Sequence, residues 1–223
     1  MTQDLKTIYM HRFAGAERSR DQVWQILTRY FFQQWVKPED AVLDVGAGFC
    51  EFINHIGAKQ KWALDLNPAT AQKADRNVNV ISHDITRPWP IASESMDVVF
   101  SSNFFEHLPS KDALQHCFAE IHRVLRPEGR LLVMGPNIRF CANVYWDFFD
   151  HFLPLSDRSM VEGLEISGFK PEVVVPRFLP FTMKGKPAPH PLLIRAYLGL
   201  PAVWPLFGKQ FLIQAVKARC PAI

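Results

Sequence analysis

The feature that most constrains this chain is a regular alternation of short apolar runs and helix-forming stretches between residues 41 and 134. Ala41 to Val45, Lys61 to Leu66, Val78 to His83, Met96 to Ser101 and Arg130 to Met134 read as strands. Glu51 to Ile56, Pro68 to Arg76 and Asp112 to Leu125 read as helices between them. Such a pitch demands right-handed crossovers and a parallel sheet covered on both faces. Val98-Val99-Phe100 and Leu131-Leu132-Val133-Met134 are near-continuous apolar runs, as doubly buried strands must be. A helix at Asp157 to Gly168, a sixth strand at Pro171 to Phe178 and a seventh at Gln210 to Lys217 complete the pattern. The expected architecture is α/β: a doubly wound, seven-stranded, mostly parallel sheet with helices on both faces.

The flanks decorate one expected domain spanning residues 1–223. Residues 1–37 form an N-terminal helical cap, in which Ser19 to Val36 carries Val23, Trp24, Leu27, Tyr30, Phe31 and Trp35 at helical spacing before Pro38. Residues 179–208 form a late, Pro-rich insertion too apolar for a freely solvated loop, with Lys184, Lys186 and Arg195 among its residues. It reads as a lid over a bulky or lipid-linked acceptor, a peripheral membrane patch or a homodimer interface, against the plainer reading of a small core of its own. The formal charge is only +3 and the basic residues are dispersed, so no nucleic-acid partner is expected. Cys50, Cys117, Cys141 and Cys220 are far apart and make no C-x-x-C pair, which suits reduced thiols. With a polar Met1 to Arg12 and no apolar run of membrane-spanning length, the cytoplasm is the expected address.

Ligands of open α/β sheets bind at the carboxyl ends of the strands. Asp44-Val45-Gly46-Ala47-Gly48 ends the first strand and opens a helix. Gly46 and Gly48 let the backbone turn sharply and approach a ligand. Asp65 ends the second strand, where a carboxylate can accept hydrogen bonds from ribose hydroxyls. A dinucleotide fingerprint would need a small residue where this chain has Glu51, and Asp44 with Glu51 would repel a pyrophosphate. Carboxylates suit instead the sulfonium and ammonium of S-adenosylmethionine.

The ordered motifs resemble those of class I, Rossmann-like S-adenosylmethionine-dependent methyltransferases, of the small bacterial type called methyltransferase type 11. Leu43 to Gly48 resembles the glycine-rich first motif, and Asp65-Leu66 the ribose-binding acid. His83-Asp84-Ile85 is similar to the adenine-bracketing segment, which implies contacts from Asp84 and Ile85. Asp97 to Leu108 resembles the fourth-strand motif, implying that Asn103 and Phe104 lie beside the methionine portion. Arg123 to Leu131 resembles the helix, turn and fifth strand. Where many members have a third glycine, this chain has Cys50. The N-terminal cap of such enzymes often folds over the donor, so Arg12 is a candidate partner for its carboxylate.

The resemblance implies methyl transfer to a small molecule or glycan, the latter fitting a lipid-linked sugar. For a hydroxyl acceptor His107 is the first candidate base, since it follows the fourth strand and titrates near neutrality. If Tyr145 to His151 is helical, Asp147, Asp150 and His151 share a face and can grip the acceptor or orient the base. Glu106-His107 could instead cap the next helix. His116 and Glu120 share a helical face but His122 points elsewhere, so no metal is expected. Two rivals remain: a nucleoside-binding protein of this fold without turnover, and a NAD-dependent oxidoreductase.

Overall fold

The computed structural model describes residues 17–181 and 189–218. Its strands are β1 (Ala41–Val45), β2 (Gln60–Asp65), β3 (Val78–Ser82), β4 (Met96–Ser102), β5 (Leu125–Pro136), β6 (Phe169–Val175) and β7 (Gln210–Lys217). They make a seven-stranded, mostly parallel sheet in the order β3-β2-β1-β4-β5-β7-β6. The described residues fall into two compact units, one running to Ile85 and resuming from 189 to Pro201, the other holding the remainder.

In the first unit β1, β2 and β3 pair in parallel. All five residues of β1 are buried, including Asp44, which explains why this strand reads as a plain apolar run. Helix α1 (Glu17–Tyr30) is shorter than expected, and a 3-10 turn, Phe32–Trp35, replaces its last turn. The aromatic run is the cause: Phe31 meets Phe32 at 5.4 Å and Trp35 at 5.2 Å edge-on, while Phe32 turns in to meet Phe52 at 5.9 Å. No single helical face could seat all three rings. Helix α2 (Glu51–His55) follows β1, and α3 (Thr70–Lys73) covers less than the expected Pro68 to Arg76. The chain turns out of α3 at Ala74, and Asp75 N–H donates to Asn54 Oδ1 at 2.9 Å.

The second unit pairs β4 with β5 in parallel and sets β7 antiparallel to both β5 and β6. Helix α4 (Lys111–Val124) buries Leu114, Cys117, Phe118, Ile121 and Val124 on one face. Ser110 caps it, accepting from Ala113 N–H at 3.2 Å, so the capping role considered for Glu106-His107 belongs to another residue. Helix α5 (Ile138–Tyr145) stops before the acidic and histidine positions, so the conditional helical face of Asp147, Asp150 and His151 does not form. Helix α6 (Asp157–Ile166) starts with a capping box of Ser156 and Ser159. β6 begins two residues earlier than expected, with Pro171 at a register shift, and ends at Val175. The late insertion carries α7 (Pro191–Leu198), which belongs to the first unit and packs on α1, with Arg195 4.3 Å over the Tyr30 ring. It also carries α8 (Trp204–Phe207), in the second unit, where Trp204 meets Phe178 edge-on at 5.0 Å. Among the described residues no helix is long and apolar enough to cross a membrane.

Candidate active site

The glycine loop begins where β1 runs out of strand. Gly46 N–H still donates to Leu64 O at 2.9 Å, extending the ladder by one bond. Gly46 (φ 71) and Gly48 (φ 53) then take left-handed backbone, the conformation for which glycine pays no Cβ penalty. Gly48 N–H donates to Asp65 Oδ2 and Asn67 N–H to Asp65 Oδ1, both at 2.7 Å, while Thr70 Oγ1 donates to Gly48 O at 2.8 Å. The acid at the end of β2 therefore holds the loop as well as presenting a carboxylate. Each carboxylate oxygen keeps lone-pair capacity for a further donor. Cys50, standing where relatives often have glycine, is left-handed too (φ 62) and buried at the start of α2. That geometry costs a residue with a Cβ about 1–2 kcal/mol. Burial, then the charges of Asp44, Asp65 and Glu51, push its thiol pKa far up.

The loop is acidic. Asp44 is only 3% exposed. Burial, then the charges of Asp65 and Glu51, raise its pKa well above the usual carboxylate range, against a lowering hydrogen bond from the Ile53 backbone. Asp65 is raised by burial, against bonds from the backbone of Asn67, Gly48 and Leu66. Glu51 forms an ion pair with Arg20 of α1 at 2.8 Å. Three carboxylates around one loop make poor company for a diphosphate and good company for a cation. In the same unit Ala47 and Ile85 are buried, and Leu66 and Asp84 are partly buried. Arg12 lies outside the described residues.

In the second unit, Asn103 is left-handed at the end of β4 (φ 50); its N–H donates to Met134 O at 2.9 Å and its side-chain amide to Ser102 Oγ at 2.8 Å. Phe104 follows it and tilts against Phe105 at 5.6 Å. A 3-10 turn, Phe105–His107, then presents Glu106 and His107. His107 Nδ1 lies 2.7 Å from Asp150 O and 3.3 Å from Asp150 Oδ2. A carbonyl oxygen can only accept, so Nδ1 carries a proton, and in the neutral tautomer this leaves the lone pair on Nε2. His151 lies edge-on to His107 at 4.9 Å, stacks on Phe148 at 4.9 Å and meets Tyr145 at 4.6 Å. Phe152 and Leu153 N–H groups donate to Glu106 O at 2.8 and 3.1 Å, and the Tyr145 hydroxyl donates to Leu153 O. The three candidates His107, Asp150 and His151 are thus brought together by a segment of consecutive turns, whereas Asp147 is left exposed.

Glu106, which local spacing does not mark as a site residue, is 3% exposed, with Oε1 3.9 Å from His107 Nε2. Arg20 is likewise unmarked, for no local pattern links it to Glu51. Glu120, by contrast, is occupied with structure: it accepts from Trp89 N–H at 2.6 Å and from Arg123 at 2.9 and 2.7 Å. These hydrogen bonds lower its pKa, Arg123 first. Trp89 is buried as a packing residue. His122 lies edge-on to Phe169 at 5.4 Å.

Residues 43–133 match the family model described as a methyltransferase domain. Two Arabidopsis thaliana proteins are similar over part of the chain: probable methyltransferase PMT2, 23% identical over 118 residues, and probable methyltransferase PMT22, 30% identical over 97 residues. These matches cover 48% and 41% of this chain but span only 19% and 16% of the relatives' own lengths. Among solved structures, a SAM-dependent methyltransferase from Archaeoglobus fulgidus superposes with a TM-score of 0.67 at 20% identity, covering 92% of this chain and 99% of that one. A Haloferax volcanii methyltransferase solved in complex with the Trm112 activator gives 0.66 at 16% identity, covering 94% of both chains. The matched segment is thus similar to a methyltransferase domain, and the chain shares the fold of solved SAM-dependent methyltransferases.

Proposed function

We propose that the chain transfers a methyl group from S-adenosylmethionine to a hydroxyl of a small-molecule or glycan acceptor. The observation that carries this reading is the acidic glycine loop, in which the Asp65 carboxylate is bonded to Gly48 N–H beside buried Asp44. The donor supplies a methyl carbon made electrophilic by a sulfonium. Gly46, Ala47 and Gly48 give it close backbone approach, Asp44 favours its positive charge, and Asp65 with Leu66 receives its ribose. Asp84 and Ile85 bracket the adenine, and Asn103 and Phe104 meet the methionine portion, whose carboxylate is assigned to Arg12. His107, oriented by Asp150 and backed by His151, is the group through which the acceptor hydroxyl is activated.

Exposed Trp146, Phe149 and Phe152 surround that cluster in sequence, and Phe149 is 93% exposed. Bare aromatic faces of this kind support a ring-bearing acceptor such as a sugar. In the first unit, exposed Leu192, Leu193 and Leu200 support a lipid-linked form of it. Calorimetric titration with S-adenosylhomocysteine, with NAD in a matched cell, tests the donor assignment. Micromolar binding of the former and none of the latter is expected; the reverse would overturn it in favour of a nicotinamide enzyme.

A further inference from the structure

The Glu106, His107 and His151 side chains each offer one ligand atom, and these atoms all lie within 4.8 Å of one another. No other such group occurs among the described residues. Donors arranged around a first-row cation at about 2.0–2.2 Å sit roughly 3–3.5 Å apart. The 3.9 Å between Glu106 Oε1 and His107 Nε2 is therefore closed by a small side-chain adjustment.

Three further observations favour an ion here over an ordinary polar contact. His107 has its Nδ1 proton bonded to the Asp150 carbonyl, with the Asp150 carboxylate also at 3.3 Å. That is the outer support which fixes the tautomer of a ligating imidazole and aims its Nε2 lone pair. His151 is buried among Phe148, Tyr145 and Phe181, whose rings fix the plane of its imidazole beside His107. Glu106 is a carboxylate withdrawn from water, which favours a cation beside it. The scaffold is stiff as well, since Phe152 and Leu153 N–H groups tie their segment to the Glu106 carbonyl. His107, by contrast, remains partly exposed, so the cluster reaches solvent through it.

We infer that Glu106, His107 and His151 bind one divalent first-row cation, of the zinc, manganese or iron(II) kind, with an open position for an oxygen ligand. Two imidazoles and one carboxylate are the donor set such ions take in preference to calcium or magnesium. The inference rests on the acceptor-activating reading above and changes how His107 serves it. An acceptor hydroxyl meeting the open position has its pKa lowered by the cation and loses its proton to solvent. Its oxygen pair then forms the C–O bond as the C–S bond breaks, and the departing pair leaves a neutral sulfide. No oxidant or reductant is required.

Cobalt(II) titration of tag-free, chelator-treated protein tests the site without needing the acceptor. The expected result is one ion per chain with the intense visible bands of four- or five-coordinate cobalt. Glu106→Gln and His151→Ala, each checked for retained fold by circular dichroism, should weaken binding by about 100-fold, since even outer partners are worth roughly 10–100-fold. Exposed His190→Ala serves as the control and should leave the titration unchanged. Cobalt that keeps its pale hexaaqua spectrum, or wild-type affinity in Glu106→Gln, would overturn the inference even if His151→Ala fails to fold. S-adenosylhomocysteine titration of the same preparations reads the methyl-transfer proposal separately. Donor binding without cobalt binding would sink the ion and return His107 to direct proton acceptance.

Discussion

The two candidate sites, one in each unit, are built in opposite ways. The donor loop draws its chemistry from neighbours in sequence: Asp44, Gly46, Gly48 and Glu51 fall within eight residues, and only Asp65 is brought in from the adjacent strand. The Glu106–His107–Asp150–His151 cluster joins two segments 43 residues apart through a carbonyl, two N–H bonds and a stack of rings. The first is acidic, and its raised carboxylate pKa values are a standing cost until a cation arrives. The second is aromatic, and its order depends on the packing of the whole unit. A local motif can survive damage elsewhere; a long-range cluster cannot.

Four experiments press on that contrast. His107→Ala should lower turnover by about two to four orders of magnitude while leaving the S-adenosylhomocysteine Kd unchanged; a large change in Kd would mean that the two sites are not chemically separate. Asp65→Ala should weaken donor binding by roughly 1.5–3 kcal/mol, through loss of charge-assisted hydrogen bonds, and calorimetry showing no loss would place the ribose elsewhere. The same titration with S-adenosylmethionine carried into acid sharpens the point. Because Asp44 and Asp65 are raised, they take up protons at a higher pH than ordinary carboxylates, so affinity for the cationic donor should fall early. For the unliganded fold the sign is the reverse: raised groups contribute stability below the unfolded pKa and lose it as pH rises through the folded pKa. Donor affinity that is flat with pH would remove these acids from its recognition.

The third experiment strikes the scaffold of the second unit. Asp157 accepts from Asn137 Nδ2 at 2.7 Å and from Arg139 at 2.8 and 3.0 Å, and Asn137 also donates to Pro176 O at 2.9 Å. Burial would raise its pKa, but the hydrogen bonds of Asn137 and Arg139 leave it lowered. Its contribution is therefore present above the unfolded pKa and lost as pH falls through the folded one. Asp157→Asn should cost about 1–2 kcal/mol in urea unfolding, discounted for the partly exposed Arg139, with donor affinity intact. The smallest effect is expected from Arg126→Ala. Its pair with Asp97 is largely exposed, and a change below about 1 kcal/mol is expected in the same assay.

This contrast also decides what could be read from the residues alone. The strands of the alternation and the glycine loop were legible because a buried strand is a contiguous apolar run and a tight loop needs closely spaced glycines. His107 was legible because a motif places it after β4. What escaped depends on distance in sequence. The pairing of Arg20 with Glu51 joins residues thirty-one positions apart, and nothing local announces it. Asp147, Asp150 and His151 suggested a helical face, but the helix ends at Tyr145, whose ring and hydroxyl are held by His151 and Leu153. Tertiary packing overrode local spacing there, and it buried Glu106 as a partner that spacing alone would leave in solvent.

The left-handed Cys50 has one further consequence. Its thiol is sequestered, donates to Thr70 O at 3.7 Å, and is held firmly in its protonated state. A thiolate is the species that peroxide and alkylating reagents attack. Burial of this sulfur in the candidate donor loop therefore disfavours the thiolate and predicts poor reactivity toward such reagents. Mass-spectrometric footprinting with iodoacetamide should leave Cys50 unlabelled in the native protein and label it only on unfolding, which makes it a built-in reporter of the loop's integrity.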